Sequence, residues 1–187
     1  LAKAYREWNP QLAVDHHGQP SQYFFPPTSL PQNPNLPQPM FSKWEAIYGR
    51  ANAAAFDKNN WDYYVRDVFD AFYPGYWDMY PSLNGAIGMT YETDGGGFKG
   101  LKWTRDDGTI VTFRSSIAKH YVASMTTLEA NAKNKVERLK DFYEFRAKAM
   151  ADHARAKMKR VVIVPDSDRV KSAEMIDLLK RSGVEIK

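Results

Sequence analysis

Two short constellations in this chain carry residue types that do chemistry. The first is Val14-Asp15-His16-His17-Gly18-Gln19. A strand ending in two histidines places the imidazoles at its C-terminal edge, where open α/β sheets put their sites. Imidazole is a common zinc ligand, and a neighbouring carboxylate such as Asp15 can fix its tautomer. The same residues equally make an ordinary surface or core His pair held by hydrogen bonds. The second constellation runs from Phe72-Tyr73-Pro74-Gly75-Tyr76-Trp77-Asp78 to Gly85-Ala86-Ile87-Gly88-Met89-Thr90-Tyr91-Glu92. An aromatic Gly/Pro loop leading into a small-residue strand that ends in a carboxylate suits a pocket wall with a buried acid. Glycines at 85 and 88 permit close approach of backbone or ligand. An aromatic core cluster with Glu92 paired to an arginine accounts for the same pattern.

Other candidates read more simply. His120 and His153 sit in helical stretches among ordinary neighbours and read as surface or packing histidines. The basic stretch from Lys133 to Arg160 reads as a long solvated helix. Asp166-Ser167-Asp168 follows a strand-like run and hints at phosphate or metal contact, but a helix cap by Ser167 or Asp168 explains it more economically.

The elements that must position these residues follow from periodicity and turn signals. Residues 1–8 read as the end of a helix stopped by Trp8-Asn9-Pro10. Gln11 to Asp15 is a short apolar run suited to a buried strand. Pro20 to Pro39 is proline-rich, and its Tyr23-Phe24-Phe25 marks it as an ordered extended loop rather than a solvated linker. Residues 41–57 and 60–72 both show apolar positions at helical intervals. Ala86 to Tyr91 reads as a buried strand ending at Glu92. Leu101–Arg105 and Thr109–Phe113 flank Asp106-Asp107-Gly108, a β-hairpin signal. Ser115 to about Lys157 is helical in character, as two helices. Arg160-Val161-Val162-Ile163-Val164, a helix over 169–181, a stop at Gly183 and Val184-Glu185-Ile186 together read as the β–α–β start of an accessory α/β domain.

The bulk numbers bound the classes. A chain of 187 residues with 43% hydrophobic and 26% charged side chains is an ordinary globular composition. No run approaches the roughly 20 apolar residues of a membrane span. The absence of cysteine excludes disulfide frameworks and thiolate chemistry. Residues 1–115 hold 10 basic and 12 acidic side chains with 22 of the 26 aromatics. Residues 116–187 hold 16 basic and 10 acidic side chains with four aromatics. Basic and aromatic residues are thus separated, which argues against nucleic-acid binding. With Leu1 at the start and no n-region or h-region, both ends read as cut.

Taken together, the motifs resemble one family, the zinc carboxypeptidases of carboxypeptidase A type. Val14-Asp15-His16-His17, with Tyr23-Phe24-Phe25-Pro26-Pro27 downstream, is similar to that family's strand ending in Asp-x-His and its aromatic, proline-bearing turn. Phe72-Tyr73-Pro74-Gly75-Tyr76 and Gly85 to Glu92 resemble its mobile tyrosine loop and the strand carrying its catalytic glutamate. The resemblance covers roughly residues 1–128 and is strongest to large bacterial members with a proline-rich insert.

It implies a three-layer α/β/α mixed sheet, present in part over 1–128, then a helical connection over 129–158 and an accessory α/β start over 159–187. His17 matches the third zinc ligand, whereas His16 falls where the family has an apolar residue. Glu92 matches the general base acting on zinc-bound water. Tyr73 matches the tyrosine that closes over the substrate, with Tyr76 as the competitor. The cofactor implied is Zn2+, the substrate a peptide or protein, and the compartment secreted or periplasmic. Gly18-Gln19 departs from the polar or acidic continuation usual after the ligand. No histidine starts the His-x-x-Glu pair that supplies the family's first two ligands, so these ligands and the carboxylate-binding arginines are expected upstream of Leu1 and the piece alone is expected inactive. Two rivals remain: a zinc amidase or deacylase on the same scaffold, and a non-catalytic pseudo-peptidase that binds peptide or carbohydrate. A water shared by a metal on His17 and by Glu92 would set their side chains roughly 4–8 Å apart in one cleft.

Overall fold

The structure, a computed structural model, describes residues 2–95, 100–165 and 167–187. Over these residues the chain is mixed α/β, with helices set against small sheets and no barrel. It divides into two units: one spans Gln11–Phe145, and the other combines the chain up to Pro10 with the chain from Arg146 onward.

The sheet of the larger unit positions the chemistry. Strands β1 (Leu12–Gln19), β2 (Tyr23–Phe24), β4 (Tyr63–Tyr64) and β6 (Ile87–Asp94) lie in the order β1-β6-β2-β4. β1 runs parallel to β6 with Leu12 opposite Ile87 and His17 opposite Glu92; β2 runs antiparallel to β6 with Phe24 opposite Glu92. Glu92 therefore sits on an inner strand. β1 continues past the two histidines to Gln19, so they lie within an edge strand rather than at its tip, and both are exposed. β6 likewise runs beyond Glu92 to Asp94.

Side chains alternate across a strand, and this splits the sheet into two unlike faces. Ile87, Met89 and Tyr91 of β6, with Leu12 and Val14 of β1, belong to the aromatic core. That face is covered by α2 (Met40–Lys58) and α4 (Phe113–Lys133). α2 forms as the spacing predicts: Phe41, Trp44, Tyr48 and Phe56 recur on one helical face and are buried. α4 starts at a Thr112 cap, whose hydroxyl accepts from the Ser115 N–H while the Ser115 hydroxyl accepts from the Thr112 N–H. The predicted pair of long helices is α4 and α5 (Lys135–Arg155), separated at Asn134. On this face, Asn52 of α2 donates to the Tyr91 hydroxyl at 2.9 Å and to Thr127 of α4 at 3.2 Å, so these three polar side chains within the core are bonded to one another.

The proline-rich stretch is ordered, as its aromatics predict. Tyr23, Phe24 and Phe25 are wholly buried. The buried carboxylate of Glu45 holds this stretch by accepting from the Thr28 N–H (3.1 Å) and hydroxyl (2.9 Å). The helix expected over 60–72 is absent. Asn60, Arg66 and Val68 have positive φ, and the segment instead supplies β4 to β2 and β5 (Asp70–Ala71) to β3 (Ser29–Gln32). The apolar residues that mimic a helical period lie in and around two short strands, and inter-strand bonding overrode the local preference. β7 (Lys102–Thr104) and β8 (Ile110–Thr112) form the expected hairpin.

In the other unit, α1 (Ala2–Trp8) is the predicted terminal helix and buries Tyr5. Arg6 donates to the Arg181 carbonyl at 3.2 Å, and Arg146 donates to the Asn9 side chain at 2.7 Å. α6 (Arg169–Arg181) is capped by Asp168, which accepts from the Lys171 N–H at 3.0 Å; its stop, Gly183, has φ +90°. Asp166 lies outside the described residues. The expected flanking strands are not formed. Val161, Val162 and Val164 are about four-fifths exposed, and neither 160–164 nor 184–186 pairs with any described strand. A strand exists through its ladder, and no partner strand is present among the described residues.

Candidate active site

The sheet face opposite α2 and α4 forms the floor of a cleft of about 340 Å³. Asp15 and His17 of β1 and Thr90 and Glu92 of β6 line it from the sheet. Val68, Phe69 and Asp70 from one segment and Tyr76, Trp77 and Asp78 from another complete its lining. The alternation that buries Tyr91 on one side puts Thr90 and Glu92 on this one, and the parallel register brings Asp15 beside Thr90 and His17 beside Glu92.

His17 and Glu92 converge although 75 positions separate them. The His17 Nδ1 lies 3.0 Å from Glu92 Oε2, a direct hydrogen bond and shorter than the span expected around a shared water. Glu92 is 3% exposed, whereas most of the His17 ring is open to the cleft. Burial pushes the Glu92 carboxyl above its ordinary range; the His17 contact opposes this, and Asp15 and Asp78 add to it. A buried carboxylate held up in this way is poised as a proton acceptor nearer neutral pH. Among the described residues Glu92 pairs with His17 and not with an arginine. Asp15, the expected tautomer-fixing group, lines the same cleft, but the carboxylate on the ring is Glu92.

Tyr76 lines the cleft. Tyr73 packs edge-on against Tyr76 with ring centroids 5.0 Å apart, and both are more than half exposed. Gly75 allows this fold-back, because any Cβ there would collide with the Tyr73 ring. Tyr73 therefore reaches the cleft through Tyr76. His16 points to the opposite face, where its Nε2 is 2.7 Å from the Ser124 hydroxyl of α4.

Two contributors escaped sequence reasoning. His120 of α4 is more than a packing histidine. Its Nε2–H donates to the His17 carbonyl at 3.0 Å, and its Nδ1 accepts from the buried Tyr23 hydroxyl at 2.7 Å. A carbonyl only accepts, so this pair of bonds fixes the neutral Nε2–H tautomer. Burial, with His16 alongside, holds its pKa down at about 4. The second is Asp78, just before the short helix α3 (Met79–Ser82) and 7% exposed, with Oδ2 accepting from the Thr90 hydroxyl at 2.9 Å. It reaches that place because Gly88 has no side chain, so the Asp78 backbone lies directly on the strand; a Cβ at Gly88 would run into the Asp78 carbonyl. The glycine at 88 was the legible sign of a close approach, but not of which residue approaches.

The donor set can be weighed against zinc. His17, with Nδ1 held by a carboxylate and Nε2 without a hydrogen bond among the described residues, is a ring prepared to accept a metal. A zinc site needs three protein ligands or more. Among the described residues no group of three or more His, Cys, Asp or Glu side chains is arranged to hold one. These residues supply one imidazole and do not by themselves make a zinc centre. The chain matches no protein-family model, no curated protein and no solved structure. No helix of the described residues is long and apolar enough to cross a membrane.

Proposed function

We propose that this chain is the base-bearing part of a zinc carboxypeptidase-like hydrolase, on a sheet of the corresponding three-layer α/β/α type, acting on a peptide bond near a chain end. One observation carries the reading: His17 and Glu92 meet at 3.0 Å in a cleft that Tyr76 also lines. Glu92 takes the proton of the attacking water and returns it to the leaving amine, work for which a buried carboxylate with a raised pKa is suited. The direct bond between Glu92 and His17 would have to open to admit that water. His17 would supply one ligand to the metal, and the others would have to come from outside the described residues. His120 keeps the His17 backbone in place from beneath. Tyr76, with Tyr73 packed on it, borders the substrate. Zinc, when bound, supplies the polarisation that makes water nucleophilic near neutral pH. A secreted or periplasmic setting belongs to the same proposal.

The test is kinetic. In a longer polypeptide that contains this chain and supplies the remaining ligands, with zinc present, a blocked dipeptide with a free carboxylate is expected to be hydrolysed, and Glu92→Gln to lower kcat by about 100-fold or more while KM stays near its starting value. A second reading, a binding module without catalysis, draws on the missing three-donor group and the exposed Tyr73 and Tyr76. No hydrolysis by that longer polypeptide with retained peptide binding would place that reading first, and hydrolysis indifferent to zinc and to Glu92 would overturn the roles given to both.

A further inference from the structure

Strand β1 is held to its sheet from one side only. β6 pairs along its inner edge, and among the described residues no strand pairs along its outer edge. A strand with one ladder opens more readily than a strand with two. Yet this strand carries His17, whose ring keeps station against Glu92.

Two side chains fasten it from the packed face. β2 flanks β6 on the side away from β1, with Phe24 at the register of Glu92, which is also the register of His17. Tyr23, the preceding residue of β2, belongs to the core, wholly buried and packed on Phe56 at 4.7 Å between ring centroids. Its hydroxyl donates to His120 Nδ1 at 2.7 Å, and the His120 Nε2–H donates to the His17 carbonyl at 3.0 Å. One imidazole of α4 thus lies across the back of β6 and ties β2 to β1, over two strand spacings or roughly 10 Å. The crossing falls at the level of Glu92, on the face opposite the cleft.

Both bonds have a fixed direction. A carbonyl can only accept, so Nε2 carries the hydrogen and Nδ1 is bare; the Tyr23 hydroxyl, shut off from water, supplies the hydrogen that Nδ1 accepts. Hydrogen bonds aligned head to tail in a buried site reinforce one another. Phenylalanine at 23 would keep the ring packing but leave Nδ1 without its donor and weaken the hold on β1.

We propose that Tyr23, acting through His120, is a positioning residue for the cleft: the crossing pair of bonds holds β1 so that the His17 ring gives its Nδ1–H to Glu92. The proposal rests on the reading of His17 and Glu92 as the working pair, and it adds a core residue on the far side of the sheet that keeps them together.

The experiment reads which nitrogen of His17 carries the hydrogen. Long-range 1H–15N spectra of the full chain distinguish the two tautomers ring by ring at pH 8.5, where ordinary imidazoles are neutral and carboxylates ionised. A carboxylate only accepts, so a His17 bonded to Glu92 is Nδ1–H, whereas imidazole side chains free in water favour Nε2–H. The unmodified chain is expected to show His17 as Nδ1–H and His120 as Nε2–H. Tyr23→Phe and His120→Leu are each expected to lower the His17 Nδ1–H to Nε2–H ratio by about 10-fold, the weight of one hydrogen bond to a charged group. His120→Gln, which still donates to the carbonyl and accepts from the phenol, is expected to preserve the ratio, a rescue that mere packing would not give. Should His120→Leu unfold the chain, Tyr23→Phe, which removes a single oxygen, and the His120 tautomer of the unmodified chain still decide. An unchanged His17 ratio in Tyr23→Phe, His120 found as Nδ1–H, or a failed rescue by His120→Gln would each overturn the role given to Tyr23 and leave the His17–Glu92 pair standing. His17 found as Nε2–H in the unmodified chain would instead sink that pair, and both readings with it.

Discussion

His16 and His17 are neighbours in sequence and live in different worlds. His16 faces α4, bonded to Ser124 and set edge-on to His120 at 5.0 Å between ring centroids. His17 faces a cleft lined by acids and is bonded to Glu92. Tyr91 and Glu92 divide in the same way, one in the core network and the other in the cleft. One face of a thin sheet is packed for stability, and the other is left open and charged. Alternation at a period of two is enough to assign adjacent residues to opposite tasks.

That contrast can be broken hardest from the packed side. Tyr91→Ala empties a fully buried ring site and strips Asn52 and Thr127 of a partner, and should cost about 3–5 kcal/mol in urea unfolding. A loss below about 1 kcal/mol would show that the face is not packed as described.

Acid should come next. His120 is held at about 4, well under its ordinary value near 6.5, by burial and by His16 beside it. The unfolded chain therefore takes up that proton first as pH falls. The stabilisation is complete above about pH 6.5 and is lost between there and about pH 4, amounting to at most about 3 kcal/mol. Asp141 adds to the acid loss at lower pH. Burial works against its charge, but Lys43 and the Trp44 indole outweigh that and hold its carboxyl low. Unfolding midpoints followed from pH 7.5 to 4 check this, and His120→Gln should flatten the upper part of the curve. A wild-type profile flat from pH 7.5 to 4.5 would contradict the buried neutral imidazole.

The smallest effect should come from the cleft side. His17→Ala should change stability by less than about 1 kcal/mol, since most of its ring is exposed. It should nevertheless raise the Glu92 carboxyl pKa further, because the His17 hydrogen bond is the main influence holding that group down. A carboxyl-carbon NMR titration of Glu92 reads this directly. An unmoved Glu92 would mean that the two side chains do not interact in solution.

Much of this was legible before any coordinates. The helices over 41–57 and 169–181, the two helices between Ser115 and about Lys157, and the hairpin around Asp106-Asp107-Gly108 follow from apolar spacing, caps and turn residues, which act within a few positions. The helical period over 60–72 misled because apolar residues in and around β4 and β5 happen to fall at helical intervals. The valines at 161–164 misled because β preference alone pairs nothing.

By itself, then, the sequence determined the local elements and which kinds of side chain were at hand for chemistry: imidazole at 16 and 17, a carboxylate at 92 and tyrosines at 73 and 76. Only the tertiary structure decided who meets whom. His17 joins Glu92 across 75 positions, His120 reaches under His17 across 103, and Asp78 settles beside Thr90 over a glycine. Propensities and caps act through neighbours in the chain, whereas strand register and helix packing are set by burying the core as a whole, and the cleft takes its shape from that burial.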